Sequence, residues 1–130
     1  MIQKSFYNIT PYNNLLILES FGSWNRAVAK ECFEDLEKTV MQCFPDKLYA
    51  IIDNITKWEL STPNAVNFWK ETFALDIHFP TYVVYVLGES ELKQRAVKRV
   101  FDDSTPFEVS FFGEIGEAVG WLESKGYFMT

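Results

Sequence analysis

Apolar residues recur at intervals of three and four positions between residues 25 and 44, the pattern of an amphipathic helix with one buried face. Charged residues occupy the other side of this helix, so that side is expected to face solvent. Ser23 or Asn25 can cap the beginning of the helix, and Pro45 ends it.

Three further helices are predicted, one beginning at Thr62-Pro63 and two over residues 90–102 and 114–125. The Thr-Pro pair supplies an N-cap residue followed by proline at the first helical position. The apolar residues expected to face inward are Ala65, Val66, Trp69 and Phe73 in the first of these helices, Leu92, Ala96, Val97, Val100 and Phe101 in the second, and Ile115, Ala118, Val119 and Leu122 in the third.

Two short segments, residues 48–52 and 82–87, are apolar without alternation. Such runs predict strands that are covered on both faces, as in a parallel sheet. Residues 5–9 and 15–21 predict two more strands joined by turn-forming residues, which favours an antiparallel hairpin. Residues 108–112 alternate between polar and apolar positions, which predicts an edge strand.

The predicted order of elements is therefore ββαβαβαβα, within a single domain that covers residues 1–130. Strands that alternate with helices imply right-handed crossovers, so we expect an α/β fold with a mixed, largely parallel five-stranded sheet and four helices. Because two of the strands are apolar on both faces, helices are expected on both sides of the sheet.

The charge of the chain narrows the choice of partners. It carries 18 acidic and 12 basic residues, a formal net charge of −6. An evenly acidic surface argues against duplex nucleic acid, since phosphate binding needs a basic face. No apolar run approaches the roughly 20 residues that span a bilayer. The first residues also lack the apolar stretch of a secretory signal, so the expected location is the cytoplasm.

Few residues are available for metal or redox chemistry. The chain has one histidine, His78, and two cysteines, Cys32 and Cys43. Both cysteines lie on the apolar stripe of the first helix, about 16 Å apart along its axis, so we expect two small buried residues and no disulfide. A zinc site needs three or four ligands at characteristic spacings, and no phosphate-binding glycine loop is present. We therefore expect no metal site and no cofactor.

Residues 49–69 contain a strand, an aspartate and the start of a helix, and the chain closes with a motif made of Phe112, Ala118, Trp121 and Leu122. Together with the order of elements, these features resemble the SpoIIAA-like group over about residues 12–125. This group consists of small bacterial proteins with a STAS-like fold (sulfate transporter and anti-sigma factor antagonist). The resemblance implies a SpoIIAA-like fold and a regulatory function exercised through protein contact.

In STAS proteins that regulate sigma factors, a strand-end aspartate is followed by an Asp-Ser pair at the start of a helix, and a partner kinase phosphorylates the serine. By resemblance, Asp53 corresponds to the strand-end aspartate and Ser61-Thr62 to the Asp-Ser pair. This chain has no acidic residue in the pair, carries Thr62 at the phosphoacceptor position and continues with Pro63. The resemblance thus implies phosphorylation at Ser61 or Thr62, whereas N-capping of the helix also accounts for Thr62.

Residues 54–61 are predicted to form a loop beyond the carboxyl end of a central strand, the edge at which open α/β sheets bind ligands. Within this loop, Trp58 is either a ligand contact or a core residue that covers the edge of the sheet. Asp53 is expected to cap the backbone of the loop rather than to do chemistry. Trp24 and Phe79, in loops or at element ends, can contribute to an aromatic-lined pocket.

These observations leave two functions open. The first is a non-enzymatic regulatory or protein-interaction module that binds a protein partner or self-associates as a homodimer. The second is a small-molecule or lipid-binding domain with an aromatic-lined pocket near Trp24, Trp58 and Phe79. An enzyme receives least support, because no nucleophile and base are paired in the sequence and Asp53 or another carboxylate would have to act as the base.

Overall fold

The computed structural model describes residues 1–75, 78–101 and 105–130. Within these residues the chain forms six strands and four helices, which alternate from the third strand onward. Their bounds are β1 (Ile2–Gln3), β2 (Tyr7–Pro11), β3 (Leu15–Trp24), α1 (Arg26–Cys43), β4 (Ala50–Ser61), α2 (Pro63–Phe73), β5 (Tyr82–Val86), α3 (Glu91–Lys98), β6 (Glu108–Phe112) and α4 (Ile115–Ser124).

The strands of the described residues form one sheet in the order β1-β2-β3-β4-β5-β6. The β1–β2 and β2–β3 pairs are antiparallel, and the β3–β4, β4–β5 and β5–β6 pairs are parallel. The mixed, mostly parallel α/β sheet, the antiparallel hairpin and the edge position of the last strand are therefore confirmed. The predicted count of five strands is too low by one, because β1 has only two residues and is too short to show a periodic pattern.

Helices cover both faces of the sheet. Successive side chains of a strand point to opposite faces, and Ile52 and Val84 point to the face where they pack with Leu122 of α4, fully buried. Leu16 and Leu18 point to the other face, which α1, α2 and α3 cover. The two segments that lack alternation thus lie side by side in the middle of the sheet and run parallel.

Two predicted helix starts have the expected capping geometry. The side chain of Asn25 accepts a hydrogen bond from the backbone N–H of Val28 at 2.9 Å, so Asn25 rather than Ser23 caps α1. Thr62 is the N-cap residue of α2, and Pro63 is the first residue of that helix. Capping depends on a few adjacent residues, which is why it can be predicted locally.

Three residues predicted to be buried on helix faces are exposed: Cys43, Leu92 and Ile115. Each lies in the first or last turn of its helix, so a side chain on the apolar stripe can still extend beyond the core. Cys43 is the last residue of α1, and the next residue, Phe44, is the one that is fully buried. Cys32, in the middle of α1, is buried as predicted.

Two elements differ in length from the prediction. Helix α3 ends at Lys98, whereas a helix to residue 102 was expected, and residue 102 itself lies outside the described residues. Strand β3 continues to Trp24, three residues beyond its predicted end. The longer β3 positions the site described next, because it supplies a pairing partner for the residues that follow Asp53.

Candidate functional site

The segment 54–61 is a strand and not the predicted loop. Strand β4 runs from Ala50 to Ser61, and its second half pairs with the extension of β3, Gly22 with Trp58 and Trp24 with Ser61. Two register shifts interrupt this pairing, between Glu19 and Phe21 and between Gly22 and Trp24. Such irregularities break the period of two that marks a strand in sequence, so the pattern of polar residues resembled a loop.

Because β4 continues past it, Asp53 lies in the interior of the sheet. Its register partners are Leu18 on β3 and Tyr85 on β5, so its side chain points to the face that α1, α2 and α3 cover. The hydroxyl of Ser20 donates a hydrogen bond to Asp53 Oδ1 at 2.9 Å. The prediction that Asp53 caps a loop backbone is therefore wrong, since no loop follows it and its partner is a side chain.

A cavity of about 500 Å³ lies between this face of the sheet and helices α1, α2 and α3. Its wall includes the four predicted binding candidates, which are Asp53, Trp58, Trp24 and Phe79. The fold thus brings together residues that lie up to 55 positions apart in the sequence. Their part in binding remains a prediction.

Both tryptophans of β3 and β4 belong to the wall and to the core. Trp24 is 4% exposed and Trp58 is 8% exposed, and both pack in the cluster beneath the helices. The indole N–H of Trp24 donates a hydrogen bond to the carbonyl of Phe21 at 3.1 Å, which orients its ring. The two interpretations of Trp58 as core and as cavity wall are therefore compatible.

Phe79 reaches the cavity from the segment before β5. Its ring packs against Phe73 of α2 and against Phe107, with centroid distances of 6.2 and 5.9 Å. Edge-to-face and tilted contacts of this kind are favourable between aromatic rings. Phe79 therefore helps to hold the end of α2 against the sheet, and its ring also faces the cavity.

The two polar residues that flank Asp53 in the cavity were not among the sequence candidates. Ser20, which is buried, and Tyr85 flank Asp53 from the two neighbouring strands and also line the cavity. Ser20 stands next to Glu19 in β3 and gives a weak signal in sequence, and the position of Tyr85 follows only from the register of β4 against β5. The strand pairing would have been needed to find them.

Burial changes the ionisation of this polar group. Removal from water raises the pKa of Asp53 to about 7, although the hydrogen bond from Ser20 acts in the opposite direction. Burial also raises the pKa of Tyr85 well above its ordinary value, with further contributions from the charges of Asp53 and Cys32. Among the described residues, the ion pairs join other carboxylates, so Asp53 has no cationic partner.

Ser61 and Thr62 lie where β4 ends and α2 begins. Ser61 is half-buried and lines the cavity, whereas Thr62 is exposed. The hydroxyl of Thr62 accepts a hydrogen bond from the backbone N–H of Ala65 at 3.3 Å. N-capping by Thr62 is thereby confirmed, and phosphorylation of either residue stays a prediction.

The capping role gives a first testable prediction. We expect Thr62→Ala to lower the free energy of unfolding by about 1 kcal/mol, because the N–H of Ala65 loses its acceptor. Thr62→Asp should keep nearly full stability, since aspartate is also a strong N-cap and its charge suits the helix N-terminus. Urea denaturation measures both values, and equal losses in the two variants would contradict the role of the hydroxyl as a cap.

Among the residues that the structure describes, no group of three His, Cys, Asp or Glu is placed to hold a metal ion. Within the same ranges, no helix combines the length and the apolar character that crossing a membrane requires. His78 instead lies beside the chain that follows α1. Its ring Nε2 is 3.1 Å from the carbonyl oxygen of Phe44.

Neither a family model nor a curated protein sequence matches the chain. Several solved structures are similar to it, and two of them are as follows. An uncharacterised protein of the DUF3478 family with a SpoIIAA-like fold, from Shewanella loihica PV-4, has a TM-score of 0.67 and 18% identity, over 94% of this chain and 99% of that one. The anti-sigma factor antagonist SpoIIAA in its unphosphorylated form has a TM-score of 0.58 and 10% identity, over 90% of this chain and 97% of that one. This chain therefore has the SpoIIAA-like, STAS-like fold that the sequence resemblance implies.

Proposed function

We propose that this protein binds a small, largely apolar molecule in the cavity between the sheet and helices α1, α2 and α3. The observation that carries this proposal is the cavity itself, whose volume of about 500 Å³ falls in the range of roughly 300–1,000 Å³ found for ligand pockets. Exposed residues such as Met41, Leu60 and Arg99 also line the cavity, so solvent can enter it.

The chemistry of the wall supports an apolar occupant. Trp24, Trp58, Trp69 and other aromatic side chains surround the space, and polar groups are few. Protein interiors are normally packed with few voids larger than a water molecule. Water in a cavity with apolar walls finds few hydrogen-bond partners, so its replacement by an apolar ligand is favourable. Binding of this kind involves no chemical reaction.

Tryptophan fluorescence can test the proposal directly. Trp24, Trp58 and Trp69 line the cavity, whereas Trp121 packs against Phe112 of the sheet, so Trp121→Phe leaves only cavity tryptophans. We expect 10-bromodecan-1-ol, whose bromine quenches by contact, to reduce their emission with a saturable curve. The same alcohol should raise the melting temperature, by an amount that corresponds to about 2.7 kcal/mol at a hundredfold excess over Kd.

A matched pair of variants tests the location. Ala96 of α3 is partly buried and lines the cavity, and Ala27 of α1 is exposed. Ala96→Phe should lower the affinity for the brominated alcohol at least tenfold by occupying the space, and Ala27→Phe should leave it unchanged. Quenching that never saturates, or that is equal in both variants, would refute the proposed site.

A second candidate is regulation through protein contact, in which the protein acts as a homodimer or binds a protein partner. It is supported by the likeness to a protein that is named an anti-sigma factor antagonist and by the exposed position of Thr62 at the start of α2. Sedimentation equilibrium should then detect a dimer, and peptide mapping of protein from its native cells should detect phosphate on Ser61 or Thr62. A monomer without phosphate at either residue would count against this candidate.

A further inference from the structure

Asp53 contributes a carboxyl group to the wall of a largely apolar cavity. It lies in the wall that the sheet forms, beneath three helices, and its Oδ1 accepts the hydrogen bond from Ser20. No second hydrogen bond reaches its carboxylate from the described residues. Its second carboxylate oxygen accepts no hydrogen bond from these residues, and Asp53 lines the cavity beside Tyr85, its register partner on the neighbouring strand.

The other charged residues of the cavity lie at its solvent-exposed parts. Glu37 on α1 and Arg99 after α3 are exposed and carry opposite charges. Asp53 has no ion-pair partner within residues 1–75, 78–101 and 105–130. A buried carboxylate without a cation is unfavourable, and a ligand that supplies a positive charge would remove this cost.

We propose that the cavity selects lipophilic amines, with the protonated nitrogen paired to Asp53 and the hydrocarbon part between the sheet and the helices. This inference rests on the proposed binding function and specifies its ligand class. The aromatic wall supports the choice, because ring faces attract cations and disfavour anions. A carboxylate ligand would instead meet the like charge of Asp53.

Three ligands with the same chain and different head groups test the proposal: decylamine, decan-1-ol and decanoic acid. At about pH 8 we expect decylamine to bind at least tenfold more tightly than decan-1-ol, and decanoic acid to bind most weakly, as measured by titration of tryptophan fluorescence. In Asp53→Asn, the affinities of the amine and the alcohol should agree within about threefold, because a charge-assisted hydrogen bond is lost. The affinity for the alcohol should not change.

Glu37→Gln is the matched control, because it removes the other carboxylate of the cavity wall from an exposed position. It should keep the preference for decylamine. If Glu37→Gln abolishes that preference, or if decanoic acid binds best with its head at Arg99, the inference is overturned. Equal binding of the three ligands would also overturn it while leaving the proposed function intact, whereas binding of none would refute the proposed function. If Asp53→Asn does not fold, the relative affinities of the three ligands for the native chain still test the preference for amines.

Discussion

Asp53→Asn is expected to stabilise the protein at about pH 8 and to remove most of the fall in stability between pH 4 and pH 7. Burial raises the pKa of Asp53 from 3.8 to about 7, so across this window the folded protein holds a proton that the unfolded chain has released. Stability therefore falls as the pH rises from 3.8 to about 7 and is constant above that range. A shift of this size corresponds to at most about 4 kcal/mol, and because solvent can enter the cavity the expected gain is smaller, about 2–3 kcal/mol.

The neighbours of Asp53 do not obscure this pH dependence. Ser20 on β3 does not titrate, and burial raises the pKa of both Tyr85 on β5 and Cys32 on α1, which keeps them neutral in the window. Urea denaturation between pH 5 and 8 measures the slope for the native chain and the variant. Glu37→Gln, at an exposed part of the cavity wall, should retain the slope. Parallel profiles of the native chain and Asp53→Asn would show that Asp53 does not hold its proton in the fold.

The arrangement of the sheet could be predicted because it depends on simple patterns. The unbroken apolar runs around Ile52 and Val84 require cover on both faces, and the helices between the strands require parallel pairing. Both requirements are met in the centre of the sheet. The two-residue strand β1 could not be found in this way, because pairing with β2 alone defines it.

The second half of β4 was missed for a different reason. Ile55 and Trp58 are both buried, but two exposed residues, Thr56 and Lys57, separate them. The spacing of three between these buried residues does not fit a strand, and it arises because the pairing with β3 shifts register in this region. Turn and loop residues are also polar, so the sequence pattern alone favours a loop.

The cavity could be predicted only in part. Trp24, Trp58 and Phe79 were identified as a group because large aromatic residues at the ends of elements often line pockets. Whether they fill the core or leave a space depends on how closely α1, α2 and α3 approach the sheet, which is a property of tertiary packing. The contact of Ser20 with Asp53 likewise depends on strand register and has no local signal.

The connection between α1 and β4 depends on one fully buried aromatic residue, Phe44. Its ring stacks on Tyr49 with a centroid distance of 5.2 Å and an interplanar angle of 11°. Its backbone N–H donates to the carbonyl of Val40 at 2.8 Å and so closes α1. The hydroxyl of Tyr49 in turn donates to the carbonyl of His78 at 2.8 Å. Phe44 therefore packs against Tyr49, and Tyr49 holds the segment before β5 through its hydrogen bond to His78.

We expect Phe44→Ala to lower the free energy of unfolding by about 3–5 kcal/mol, because it removes a buried ring and leaves a cavity against Tyr49. That loss is a large fraction of the roughly 5–15 kcal/mol by which a domain is normally stable. Phe128→Ala is the matched control, since its side chain is 42% exposed, and it should cost less than about 1 kcal/mol. Urea denaturation followed by circular dichroism measures both changes. Similar losses in the two variants would contradict the buried position of Phe44, and with it the account of how α1 is joined to the sheet.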